Sequence, residues 1–187
     1  MPSPIAHSVT GYALSQPFVR PRQRLLLFTS VFLTNAADLD FAAQFLGIGT
    51  HRGITHTIPF LVGLTLVIGA IAHRLGHRSV RLLMGLTLLL YGSHLLLDFY
   101  TAGDAGLRLW LPFSDRPFQA ATPLFPSVQH TKGLFYAGHW QFISFELAYS
   151  GAMLGALWGW RILRRSPLLR SLRTMAQPQN PKSETRR

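Results

Sequence analysis

No cysteine occurs among the 187 residues, which excludes disulfides, thiolate metal sites and cysteine nucleophiles. Any metal would need histidine and carboxylate ligands. Acidic residues are scarce, seven Asp and Glu against eighteen Lys and Arg. Charged residues make up only 13% of the chain and hydrophobic residues 48%. That charged share is about half the usual one, and a surface so poor in charge suits contact with lipid. The glycine motifs of nucleotide-binding loops are absent, as is any internal repeat. The first residues lack the basic start and strong apolar core of a secretory signal.

What remains is a set of apolar runs separated by polar connections. Ser3 to Leu14 is short and mildly apolar, with Ser3 as a helix cap and Pro4 in the first turn. Leu25 to Ala37 follows and runs into Asp38-Leu39-Asp40. Thr57 to Ala72 is the third run, with Thr55 or Thr57 as its cap and Pro59 in its first turn. Val80 to Tyr100 is long enough to cross a bilayer. Gln141 to Leu163 is the best single-span candidate by length, and Trp158 and Trp160 near its end suit a membrane interface. The connection from Thr101 to Trp140 is long and proline-containing, so it is expected to pack over something or to carry function. The expected architecture is an all-α membrane bundle of about four or five membrane-associated helices over residues 1–163. A basic, disordered cytoplasmic tail is expected over 164–187.

Charge placement supplies an orientation. Fourteen of the eighteen basic residues fall at 20–24, at 74–81 and from Arg161 onward, in alternate connections. All five aspartates lie with the other connections. The positive-inside rule puts the basic connections and the C-terminus in the cytoplasm. The same rule explains the net charge of +11 without nucleic acid, which is not expected as a partner.

One pair then stands out. His94 and Asp98 are four residues apart in an apolar run, on one face of a helix. An aspartate there costs about 2.5–3.5 kcal/mol on insertion scales. Alone, the pair reads more readily as satisfied bundle partners than as metal ligands. The alternating topology, however, brings His7, Asp38, Asp40, His51 and His56 to the same, non-cytoplasmic face. This set suits a divalent metal, zinc first, with manganese or iron as alternatives. It has enough ligands for two metals, or for one metal and a general base. Water acidified by the metal would attack an ester or phosphoester, with Arg52 holding an anionic, amphipathic substrate. Asp40 and Asp115 are further candidates for proton transfer or support. His130 and His139 are weaker candidates in the outer connection, and Glu146 is a bundle partner of unspecified mate. His73 and His77 fall on the basic side and are set aside. The rival expectation is a non-catalytic membrane protein, in which the same residues form a buried polar network or a structural metal site. Oligomeric state is not legible.

Five stretches carry a family resemblance. They are Met1-Pro2-Ser3-Pro4-Ile5-Ala6-His7-Ser8, Ala37-Asp38-Leu39-Asp40, His51-Arg52-Gly53-Ile54-Thr55-His56, Ser93-His94-Leu95-Leu96-Leu97-Asp98 and Pro112-Phe113-Ser114-Asp115. In this order they resemble the YdjM/YbcI-like inner-membrane proteins, catalogued as membrane-bound metal-dependent hydrolases. Two local departures are Ala37, where the family usually has proline, and Leu111, which separates Trp110 from Pro112. The resemblance implies an inner-membrane location and metal-dependent hydrolysis, and it names no substrate. A looser similarity in ligand order links the chain to zinc-dependent phospholipases C and nucleases. Ile143 stands where a carboxylate of their third metal site would fall after His139.

Overall fold

The computed structural model describes residues 3–19, 22–45, 47, 52–102, 106–126 and 136–166. Its helices are α1 (Pro4–Ser15), α2 (Arg24–Asn35), α3 (Leu39–Phe45), α4 (Ile58–Arg74), α5 (Val80–Phe99) and α6 (Gly138–Arg165). Short 3₁₀ turns at Ala36–Asp38 and Ile54–His56 join α2 to α3 and lead into α4. The apolar runs therefore become α1, α2, α4, α5 and α6, within a few residues of the boundaries expected for each. The region beyond residue 166 lies outside the described residues.

Caps explain several helix starts. The Ser3 hydroxyl accepts from the Ile5 amide at 3.1 Å, and Pro4 occupies the first turn of α1. Thr57, rather than Thr55, caps α4 by accepting from the Phe60 amide at 3.2 Å.

The short α1 packs against α2, α5 and α6, and α5 packs against α1, α2 and α4. Small residues permit this. Ala6, Thr10 and Ala13 are buried along α1, together with His7, Gly11 and Ser15. Gly11 meets Thr34 of α2 so closely that a Cβ on it would lie 2.9 Å from the Thr34 Cβ and nearer still to its hydroxyl. Glu146 of α6 is buried and accepts from both the amide and the hydroxyl of Ser3, which ties the start of α1 to α6. At the opposite end, Arg161 of α6 donates to Gln16. The two ends of α1 are thus both held by α6.

The connection after α5 packs over the site end of the bundle. Phe125 is buried against Ala6, Leu97 and Tyr149. The Ile58 amide at the start of α4 donates to the Leu109 carbonyl at 2.9 Å. Isolated bridges pair Thr101 with Phe125 and Leu107 with Phe118.

Among the described residues, α5 alone is both long and apolar enough to cross a membrane. Its 20 residues rise about 30 Å, the thickness of a hydrocarbon core. The α4 helix stops at 17 residues. The α6 helix has the length, but glycines, serines and Glu146 dilute its apolar content, so it does not qualify as the best single span expected from the sequence. Outward-facing apolar side chains are nonetheless abundant, among them Phe28, Leu66, Ile71, Leu88 and Leu147. An apolar exterior around a polar interior suits lipid rather than water.

Candidate metal centre

The polar residues that drew attention in sequence meet at one end of the bundle. Asp38 enters from the 3₁₀ turn after α2, His56 from the turn before α4, and His94 and Asp98 from the last two turns of α5. Each offers a donor atom, and these four atoms lie within 4.8 Å of one another. The Nε2 atoms of His56 and His94 are 3.2 Å apart. A carboxylate oxygen of Asp38 is 3.5 Å from each of them. Asp98 Oδ2 is 3.5 Å from His56 Nε2 and 3.8 Å from His94 Nε2. A tetrahedral ion with bonds of 2.0–2.1 Å would set ligand atoms about 3.3 Å apart. The group could therefore hold a metal ion with small adjustments.

The tautomers favour the same use. His94 Nδ1 is 2.8 Å from the Thr34 carbonyl oxygen, which can only accept, so Nδ1 carries the proton. His56 Nδ1 is 3.1 Å from Asp40 Oδ2 and donates to it. In the neutral rings, both Nε2 lone pairs then face each other and two carboxylates. Among the described residues, Asp38 Oδ1 and both Asp98 oxygens are buried without a hydrogen-bond donor. Such a convergence of acceptors is costly unless a cation, or a proton, lies among them. Burial disfavours charge on His56, but the carboxylate of Asp38 beside its ring, the hydrogen bond to Asp40 and the field of Asp98 outweigh it and raise its pKa to about 9.

Asp40 stands behind His56 rather than among the four. One of its oxygens receives the Thr55 hydroxyl at 2.8 Å, the His56 ring at 3.1 Å and the Gly53 amide at 3.3 Å. The loop from Arg52 to His56 is thus wrapped around a single carboxylate. Tyr91 of α5 adds a bond from its hydroxyl to the Thr55 carbonyl at 2.7 Å. Arg52 adopts a left-handed backbone, φ 59°, a conformation costly for a residue with a side chain. Its Nε lies 3.7 Å from Asp98 Oδ2.

His7 lies beside the group. Its ring stacks on that of His94 with centroids 4.0 Å apart, and its Nε2 is 3.5 Å from Asp98 Oδ1. It is fully buried, and neither ring nitrogen has a hydrogen bond among the described residues. Asp115 is exposed on the connection after α5, with no bond to the cluster among the described residues. His139 packs edge-on against Tyr136 at the start of α6. His51 and His130 lie outside the described residues. Thr34, Thr55 and Tyr91 position the site. Thr34 acts through its backbone carbonyl, which no side-chain pattern announces, and Tyr91 carried only the signal of lying one turn before His94.

Fold and site together define a membrane-type helical bundle with a buried His/Asp group able to hold a metal ion. The family model described as YdjM inner membrane protein matches residues 1–167, and the chain belongs to that family. The inner membrane protein YbcI of Escherichia coli is 32% identical over 130 residues, which cover 64% of this chain and 73% of that protein. No solved structure matches the chain. Membership implies association with a lipid bilayer.

Proposed function

We propose that the chain is a membrane-bound, metal-dependent hydrolase of an ester or phosphoester. The observation that carries the reading is the convergence of Asp38, His56, His94 and Asp98 on one point, with both histidine tautomers set to present Nε2. Zinc fits this donor set first, and manganese or iron are the alternatives. Bound there, a divalent metal supplies Lewis-acid polarisation of the scissile group and an acidified water. Asp40 holds the His56 ring in register. Arg52 offers a guanidinium beside the site to an anionic substrate group. His7, buried against Asp98, is placed to exchange a proton at Nε2. Asp115, on the covering connection, is kept as a residue that would approach the substrate from outside.

In this reading α1, α2, α4, α5 and α6 are all membrane-associated, the shorter ones partly embedded. The site faces the non-cytoplasmic side and the C-terminus the cytoplasm.

A second reading rests on the completeness of the group. Four protein donors fill a tetrahedron, as structural sites do, whereas catalytic sites keep a position open. Against this, the Asp38 side chain is 15% exposed while the other three are sealed, so the group opens on one side. Turnover decides between the two. The purified protein, loaded with zinc, manganese or iron, should release product from fluorogenic esters or phosphodiesters, and His94→Ala should abolish release. Stoichiometric metal without turnover of any such substrate would support the structural site instead.

A further inference from the structure

At the end of the bundle opposite the metal group, a cleft of about 500 Å³ opens between the last turns of α1 and α6 and the first turn of α2. Arg161, Arg164 and Arg165 form its charged side. Two of them are oriented by uncharged partners. Arg161 donates to the Gln16 side chain and, at 3.4 Å, to the Tyr12 hydroxyl. The Arg164 guanidinium carbon lies 4.2 Å from the centre of the Trp160 ring. Neutral partners fix the direction of a guanidinium without cancelling its charge.

The carboxylates of the described residues are all elsewhere. Asp38, Asp40 and Asp98 belong to the metal group and its support, Asp115 to the connection packed over it, and Glu146 to the bond with Ser3. Arginines gather at the opposite end instead, two at 22–24, three at 74–81 and three at 161–165. Topology alone would place them there singly, but the last three share one cleft. Like charges held together repel unless an anion joins them. The remaining walls are apolar, made by Val19, Leu27 and the Trp160 ring. Leu25, Phe28 and Leu163, neighbours of the cleft residues in sequence, are 61–77% exposed. A free phosphate would use the arginines alone, whereas an anionic head on an apolar body uses both kinds of wall.

We propose that this cleft binds the headgroup of an anionic phospholipid, with its phosphate among Arg161, Arg164 and Arg165 and its glycerol end against Trp160 and Leu27. Guanidinium groups grip phosphate through paired N–H donors, and anionic lipid attracts basic residues at a membrane surface. The site is separate from the metal group and does not depend on hydrolysis.

The test titrates the full-length protein, in an uncharged detergent, with phosphatidylglycerol or phosphatidylcholine and counts bound lipid by native mass spectrometry. One phosphatidylglycerol should bind roughly tenfold or more tightly than phosphatidylcholine. Arg164→Gln combined with Arg165→Gln, both exposed, should remove that preference, and Arg161→Gln should weaken it. Arg78→Gln, at the same end but outside the cleft, should leave it unchanged. Equal binding of the two lipids would overturn the proposal. So would an equal loss in Arg78→Gln and the double variant, because the attraction would then belong to the whole basic end. Inorganic phosphate at the concentration of the lipid should displace none of it; full displacement would make the cleft a site for the free ion and overturn the lipid assignment. The wild-type comparison decides even if Arg161→Gln does not fold.

Discussion

The ring of His94 is anchored through Nδ1 to the backbone carbonyl of Thr34, 2.8 Å away on a neighbouring helix. A candidate ligand on α5 is therefore oriented by α2, and α2 packs closely on Gly11 of α1 at Thr34. Gly11→Ala should push Thr34 outward. Overpacking of this kind costs about 1–3 kcal/mol, more than the ~0.5–1 kcal/mol that alanine adds to a helix. A lower melting temperature in detergent and weaker metal binding are expected. Gly63→Ala, with nothing within 4 Å of the new methyl, should melt no lower than wild type. Equal melting of the two variants would show that the α1–α2 contact does not hold the site.

Asp40 accepts from Gly53, Thr55 and His56 through one oxygen. Removing such a partner of a metal-binding histidine typically lowers affinity 10–100-fold. Asp40→Asn should do so in a chelator competition, with the melting curve little changed. If Asp40→Asn abolishes binding as completely as Asp38→Asn, Asp40 is a direct ligand and its placement behind His56 is wrong.

The bond between Ser3 and Glu146 fixes the entry of α1, which carries His7. Hydrogen bonds to charged groups contribute about 1.5–3 kcal/mol each. Ser3→Ala and Glu146→Gln should therefore couple by about 1–3 kcal/mol in a double-mutant cycle of unfolding. Additive effects would mean that the two residues act independently.

Much of the site was legible because helical spacing and alternating topology are properties of the chain itself. His94 and Asp98 share a face at any reading of the periodicity, and basic residues in alternate connections placed His7, Asp38 and His56 at the same end. The division of labour between Asp38 and Asp40 was not legible. They are two residues apart across a change from 3₁₀ to α-helix, so which one points inward depends on a local twist that composition does not encode. The packing of α1 was also hidden, since a short and mildly apolar helix meets three neighbours through close contacts at Gly11 and Ala6. Glu146 was recognised as a bundle residue, but its mate is a serine 143 residues away, beyond any local pattern. The length of the Gln141–Leu163 run suggested a span, yet its glycines, serines and glutamate leave α5 as the clear one.

Sidedness has its own test. Reporter fusions after Gly76 and after Asp104 should report opposite sides of the membrane, with Gly76 cytoplasmic. The same side for both would remove the up-and-down topology of α5 and the assignment of the site to the non-cytoplasmic face.

The central claim is that Asp38, His56, His94 and Asp98 hold a metal ion. It is tested most directly by metal analysis of the protein purified in detergent without chelators, then equilibrated in turn with zinc, manganese and iron. At least one tightly held ion per chain is predicted for wild type, and a folded His94→Ala or Asp98→Asn variant should lose it. Folded wild-type protein that retains none of the three metals in stoichiometric amount would contradict the account.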